Sequence, residues 1–309
     1  MPSTTPAPAR GEQDSQGLQD PVTQDWSFKA FKGGTSETLR NEIIYNIFAN
    51  PCSCVGGSEG ALRGSVLPLQ TRLNNEASGI TENLKTISIH NTKHLRPLND
   101  NQFGHYLAGL IDGDGHFSKK QQLIIVFSSK DVSLAYYLKL RIGYGQIKKV
   151  KNKNAYLFII SNKDGLIKII KLINCKLRTL NKYSQVINNI LNHHLYFNFK
   201  EEIEFNLNCN NDFYNHWLAG FSDADASFQI KIVNKPNRNK LEIRLNYQID
   251  QKNNDILILI KEIFGGNIGY RKSQDTYYYG STSFGSANKI VKYFDEYHLQ
   301  SNKYINYLK

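Results

Sequence analysis

The sequence predicts an α+β fold made from two copies of one αββαββα unit, related by a pseudo-twofold axis, and three observations predict it. A distinctive peptide occurs twice: residues 105–117 read HYLAGLIDGDGHF, and residues 216–228, 111 positions further on, read HWLAGFSDADASF. Each copy is followed by a switch from helical spacing to two-residue alternation. Glycine turns (Gly145, Gly266) and the triplet NKY (starting at Asn181 and Asn302) then recur at a shared offset of 121, so the second copy carries about 10 extra residues.

The elements follow in order. Asp100 or Asn101 is placed to N-cap a helix through the first copy of the peptide, and Asn211 or Asp212 one through the second. After the second copy, Phe228, Ile230 and Ile232 alternate with Gln229, Lys231 and Val233. Beyond the turn KPNRNK, the return strand sets Leu241, Ile243, Leu245, Tyr247 and Ile249 against Glu242, Arg244, Asn246, Gln248 and Asp250. One face of that hairpin is apolar and expected to be covered; the other is polar and basic. Helical spacing resumes over Val132–Ile142 and Asp255–Phe264, and each stretch is closed by glycine. YLFII and TYYYGSTS supply second hairpins, with Tyr277, Tyr278 and Tyr279 read as packing residues. NKYSQVINNIL and NKYINYL supply the last helices, and the longer first hairpin of the second copy holds the extra residues. The expected boundaries are a leader at 1–98, a first repeat at 99–195, a linker at 196–210 and a second repeat at 211–309.

The leader differs in kind. Pro, Ser, Thr, Ala and Gly dominate it, a composition that buries little, and residues 38–50 offer one short amphipathic helix through Leu39, Ile43, Ile44, Ile47 and Phe48. Glu12, Asp14 and Asp20 speak against an Arg-rich transit peptide. From Asn101 the composition turns to Asn, Lys, Ile and Tyr, whose codons are rich in A and T, as in an organellar genome. Charge divides at the same place. The first 100 residues hold 9 Lys/Arg and 10 Asp/Glu, the remainder 29 and 17, so the net charge of +11 and the pI near 9.3 belong to the repeats. Such a segment has the electrostatics of a nucleic-acid binder. A membrane protein is not indicated, because no apolar run approaches the roughly 18 residues of a spanning helix. Cys52, Cys54, Cys175 and Cys209 have neither the density of a disulfide scaffold nor paired CxxC spacing, which reads as free thiols.

The chemistry lies in the doubled peptide. Gly109 and Gly113 are four apart, as are Gly220 and Ala224, so each helix carries a stripe of small residues along which another backbone can approach. Two such helices packed together bring Asp114 and Asp225 side by side. That pairing is unfavourable unless a cation sits between the carboxylates. Hard oxygen ligands of this kind suit Mg²⁺, and a carboxylate-held divalent ion beside a basic strand surface suits phosphodiester hydrolysis. Asp112 and Asp223 point roughly 200° away around their helices and read as structural hydrogen-bonding groups.

LAGLIDGDG and LAGFSDADA resemble the motif of the LAGLIDADG homing endonucleases, in the single-chain form with two motifs, and the resemblance covers residues from about 98 to 309. It implies a saddle whose concave β surface binds double-stranded DNA with a long near-palindromic target, cut by a monomer with no obligate protein partner. The last acid of each motif, Asp114 and Asp225, would hold Mg²⁺, which Mn²⁺ can replace, with Gly113 and Ala224 in the ligand set. Lys182, Lys303 and Gln251 would be catalytic; the first repeat places Ser129 opposite Gln251. Ala226 replaces the final Gly of the motif, so another way of turning into the strand is expected. Lys309 falls inside the last helix, where the family continues with more helix. The alternation nominates Gln229, Lys231, Arg244, Asn246 and Gln248 for DNA contact in the second repeat, and Ser118, Lys120, Gln146 and Lys148 in the first. An intron-encoded, mitochondrial or chloroplast endonuclease is the reading this supports. An RNA-binding maturase acting on its host intron is the alternative, whereas a DNA-binding regulator on the same scaffold would be expected to have lost the acids.

Overall fold

The structure, a computed structural model, describes residues 94–199, 203–208, 210–235 and 240–309. The expected helix at 38–50, Cys52, Cys54, Cys209 and the tip of the KPNRNK turn lie outside the described residues.

The first half opens with helix α1 (Asp100–Asp114). Its N-cap is Asn99, one residue ahead of the expected pair: Asn99 Oδ1 accepts from the Gln102 N–H at 2.9 Å. Hairpin β1 (Gly115–Ser118) and β2 (Gln122–Ser128) follows, then a 3₁₀ turn (Ser129–Asp131), helix α2 (Val132–Ile142), and hairpin β3 (Gln146–Lys149) and β4 (Ala155–Ile160). Helix α2 matches the predicted span and ends at Gly143, whose φ of 81° is a left-handed conformation that glycine adopts without a Cβ penalty. Next comes helix α3 (Lys163–Ile173), one element more than the seven-part unit; its Leu166, Ile169, Ile170 and Ile173 make a buried stripe at helical spacing. The NKY helix α4 (Leu180–Val186) is prolonged by a π turn (Ile187–Leu191).

The second half repeats this order: α5 (Trp217–Asp225), β5 (Ala226–Lys235), β6 (Lys240–Gln251), α6 (Asp255–Phe264), β7 (Asn267–Arg271), β8 (Thr276–Ser281), α7 (Phe284–Glu296) and α8 (Lys303–Leu308). Helix α5 starts five residues after Asp212. The carbonyls of Asn210 and Asp212 are held by the Arg178 guanidinium, and Phe213 is buried against Trp217, so this stretch is fixed outside the helix. The Trp217 N–H is instead satisfied by Asn215 Oδ1 at 2.9 Å.

Each half contains a four-stranded antiparallel sheet, ordered β1-β2-β4-β3 and β5-β6-β8-β7. The register is equivalent: Ile125 pairs with Phe158, and Ile249 with Tyr279. One apolar cluster runs through both halves, from Phe103 to Tyr304. The extra length of the second repeat lies in its first hairpin, with strands of 10 and 12 residues against 4 and 7. That hairpin is covered only at its root, where Phe228 and Tyr247 pack on Phe294. Further out, Ile230, Ile232, Ile243 and Leu245 are exposed, because strands rising about 3.3 Å per residue outrun the helices beneath. In the first half, Gln121 ties the short hairpin to the chain beyond the π turn. Its amide accepts from the Tyr196 and Phe197 N–H groups and donates to the Ile190 carbonyl.

Candidate active site

Helices α1 and α5 meet backbone to backbone. A Cβ on Gly109 would overlap the Trp217 carbonyl oxygen and lie 2.8 Å from Phe221 N, while one on Gly220 would overlap the Tyr106 carbonyl oxygen and lie 2.8 Å from Leu110 N. The contacts are reciprocal, as a pseudo-twofold axis requires, and position numbers rise together along both helices. Their C-terminal ends therefore arrive at one place. There Gly113 abuts the Ala224 methyl, and Asp225 Oδ2 would sit 3.1 Å from a Cβ on Gly113.

Asp114, 8% exposed, closes α1, and the half-buried Asp225 closes α5. The chain then turns directly into β1 and β5. Gly115 and Ala226 both have extended backbone, with φ of −72° and −88°, so the turn requires no glycine conformation and Ala226 serves as well. What constrains Gly115 is space, because a Cβ there would meet the Ile111 backbone.

The expected companions gather unevenly. Gln251 Nε2 donates to Asp225 Oδ2 at 2.8 Å. Lys303 Nζ donates to the Ser222 and Ala224 carbonyls at 3.1 and 2.8 Å, at the negative end of α5, so the Ala224 oxygen already receives a cation. Lys182, in the same NKY triplet of α4, is buried. The residue opposite Gln251 is not Ser129. The strand register makes Ile125 equivalent to Ile249, and two residues on, Phe127 stands where Gln251 does, with its side chain in the core. Strands β2 and β6 run at an offset of 124 (Ile125 to Ile249), whereas Ser129 and Gln251 are 122 apart, so Ser129 lies two residues beyond the equivalent position. Among the described residues no cluster of three or more His, Cys, Asp or Glu side chains is suited to a metal ion.

Asp112 and Asp223 are structural, as expected, and they cross the seam. Asp112 accepts from the Trp217 indole at 2.9 Å, from the Arg178 and Thr179 N–H groups and from the Thr179 hydroxyl. Asp223 accepts from the Tyr106 hydroxyl at 2.7 Å, from the Gln300 N–H and from the Ser301 hydroxyl. Each carboxylate thus joins the entry to the NKY helix of its own half to an aromatic residue of the other half. Burial pushes the Asp112 carboxyl up to about 6 in spite of these donors. Tyr106→Phe removes one donor to a buried carboxylate and is expected to lower the unfolding free energy by about 1–3 kcal/mol, measured by urea denaturation. Toward the other end of the seam, burial lowers His105 and His216 to about 4, so both are neutral near pH 7; they line one cavity of about 570 Å³ with Lys176 and Glu296.

On the strand faces turned away from the core, the second half is mostly polar. Gln229 and Lys231 are exposed, and Arg244 is ion-paired with Glu242 at 2.8 Å. Asn246, nearly buried, donates to Gln229 and Gln248, and Gln248 donates to Asp250. Asp250 in turn pairs with Arg271 at 2.9 Å, whose guanidinium lies over Tyr278. Sequence does not single out Arg271, and it reads Tyr278 as a packing residue, because β7 and β8 alternate weakly; the β6–β8–β7 register is what puts both on this face. In the first half Gln146 and Lys148 are exposed on β3 and Lys120 in the β1–β2 turn, whereas Ser118 is buried at 3% and its hydroxyl has no partner in the structure.

Residues 218–309 match the family model described as LAGLIDADG endonuclease, and residues 103–174 that of a LAGLIDADG-like domain. Over 225 residues the chain is 66% identical to an uncharacterized cox1 intron-2 37.2 kDa protein of Schizosaccharomyces pombe, covering 73% of this chain and 69% of that one. It is 30% identical over 271 residues to the intron-encoded DNA endonuclease aI3 of Saccharomyces cerevisiae, 71% of this chain and 64% of that one. Over 183 residues it is 31% identical to the intron-encoded RNA maturase bI4 of the same yeast, of which it spans 26% and which covers 57% of this chain. Among solved structures, the LAGLIDADG meganuclease I-AabMI bound to uncleaved DNA shares the fold, with a TM-score of 0.53 and 21% identity over 68% of this chain and 88% of that one.

Proposed function

Because the chain belongs to the LAGLIDADG homing endonuclease family, we propose that it is an intron-homing enzyme that hydrolyses both strands of a specific DNA site at a centre to which each half gives one carboxylate, Asp114 and Asp225. The observation that carries this reading is the seam. The glycine-on-backbone contact of α1 and α5 brings together the ends of two helices from distant parts of the chain, each closed by an acid.

The donor set fits a hard divalent ion. Two carboxylates and the carbonyls at the ends of α1 and α5, that of Gly113 and that of Ala224, which would be shared with Lys303, are all-oxygen ligands, which favour Mg²⁺ or Mn²⁺ over softer metals. Bound there, the ion supplies an activated water and neutralises charge on the scissile phosphate. The chain's own residues do the rest. Gln251 fixes the Asp225 carboxylate through Nε2, and its Oε1 is the acceptor that orients an attacking water in the second half. Lys303 commits two of its three N–H donors to carbonyls, which holds its charge beside the centre for the oxygen that becomes negative. Lys182 takes the same part for the other strand. With Phe127 opposite Gln251, the first half lacks the amide, and the two strands are cut by unequal surroundings.

The substrate is a long, near-palindromic duplex lying across both sheets. Lys120, Gln146 and Lys148 contact it from one half, and Gln229, Lys231, Arg244, Asn246 and Gln248 from the other. Since both halves lie in one chain, a monomer suffices. The cox1 intron origin of the 66% identical relative supports a mitochondrial setting. The likeness to a maturase favours a second reading, assistance to splicing of the host intron RNA.

The test uses the purified full chain and a plasmid carrying the intron-lacking allele. A double-strand cut at the insertion site in Mg²⁺, stopped by EDTA, is the expected result. Absence of cutting, together with unspliced host intron when the protein is missing, would instead establish the maturase reading.

A further inference from the structure

The register permits a position-by-position comparison of the two strand faces. His116 pairs with Ile124 as Ser227 pairs with Gln248, and the second hairpins are equivalent through Phe158 and Tyr279. Where the second half presents Gln248, Asp250, Tyr278 and Gly280 away from the core, the first half therefore presents Ile124, Val126, Leu157 and Ile159. These aliphatics are not part of the main core. With Ala155 and Val150 they form a separate apolar cluster on the other side of the sheet, with Val126 and Ile159 at its accessible surface. Gln146 and Lys148 border the cluster on β3, and Lys120 lies at the β1–β2 turn. Charge differs in step: residues 115–160 hold nine Lys/Arg and one acid, and residues 226–281 nine Lys/Arg and five acids.

We propose that the two repeats read their half-sites by different chemistry: the first uses the accessible Val126 and Ile159, backed by the buried Ile124 and Leu157, to recognise the C5-methyl groups of thymines, and the second reads base edges by hydrogen bonds. This rests on the reading of the strand faces as the DNA surface. The apolar groups that duplex DNA displays in its major groove are thymine methyls, so an apolar strand face ringed by lysine and glutamine has that one complement there. The shortage of acids gives the first half phosphate affinity without base selectivity, and the methyl contacts add the selectivity. In the second half, Asp250 and Glu242 hold Arg271 and Arg244 in fixed orientations, which suits guanine edges. The target then resembles a palindrome in geometry but not in chemistry, with one half richer in A·T pairs.

The test selects bound duplexes from a library randomised in both half-sites, using the full chain and the double variant Val126→Thr/Ile159→Thr, which keeps β-branched side chains in both strands. In the wild-type pool one half is expected to hold thymine at several fixed positions, and the variant should lose that preference while the bases chosen in the other half stay as they were. Replacing thymine by deoxyuridine in that half of the selected site, which removes only the methyl, should weaken binding about fourfold for each methyl buried. The same replacement in the other half should change binding less than twofold. Mixed bases in both halves, or deoxyuridine binding as well as thymine, overturns the proposal. So does a variant that melts earlier with unchanged base choice, since the cluster is then only a second small core. A pool with no enriched sequence at all removes the endonuclease reading itself, and the proposal with it.

Discussion

Asp114→Asn and Asp225→Asn, made singly, are each expected to slow double-strand cleavage by about 10³-fold or more while leaving binding of the target within about twofold. The substitution keeps the size of the side chain, and in Asp225→Asn the amide oxygen can still accept from Gln251, so the fold and the strand faces are left alone. What goes is one of the two negative charges that hold the divalent ion, whose stabilisation of the transition state is worth several kcal/mol, or about three powers of ten in rate. The effect should be as large for either residue, because the two helix ends serve one centre. Cleavage of a linear duplex under single-turnover conditions, with binding followed separately by gel shift in Ca²⁺, checks both halves of this expectation. Normal cutting by both variants would place the metal centre elsewhere.

The second large effect is on stability. Gly109→Ala and Gly220→Ala each add a methyl where the opposite helix has a main-chain carbonyl, and backbone cannot rotate away as a flexible side chain can. The helices must part, and the seam carries Trp217, Tyr106, Leu107 and Leu218, all fully buried. A cost of about 3 kcal/mol is expected, lowering Tm by roughly 6–12 °C. Gly285→Ala is the control: the added Cβ meets nothing within 4 Å, and no change in Tm beyond about 2 °C is expected. Equal melting of the seam variants and the control would mean that α1 and α5 do not pack on their glycines.

How much of this could be read in the sequence depended on whether the signal was local. The spans of α2 and α6 were legible to the residue, because apolar spacing and a terminal glycine are short-range features. The seam was legible because the small residues recur at a spacing of four in both copies. The N-cap positions were misplaced because several Asn and Asp residues stand together before each helix, and tertiary contacts decide among them: Arg178 takes the carbonyls around Asp212 and leaves Asn215 to serve Trp217. Helices α3 and α7 have no place in a seven-part unit closed by its NKY triplets, although the Leu166, Ile169, Ile170 and Ile173 stripe is legible at helical spacing. Alignment by offset puts Ser129 opposite Gln251, and only hydrogen-bonded register reveals the two-residue shift that puts Phe127 there. The exposed end of the β5–β6 hairpin was illegible for a related reason. Alternation tells which face of a strand is apolar, but not how far the helices beneath it extend.

The central claim is that one carboxylate from each half makes a single metal site. Titration of Mn²⁺ into the complex of the full chain with its target DNA, followed by electron paramagnetic resonance of the unbound ion, tests it most directly. Wild-type complex is expected to take up Mn²⁺ tightly, and either Asp114→Asn or Asp225→Asn alone should abolish most of that uptake, because neither half holds the ion by itself. Undiminished uptake by both single variants would contradict the claim.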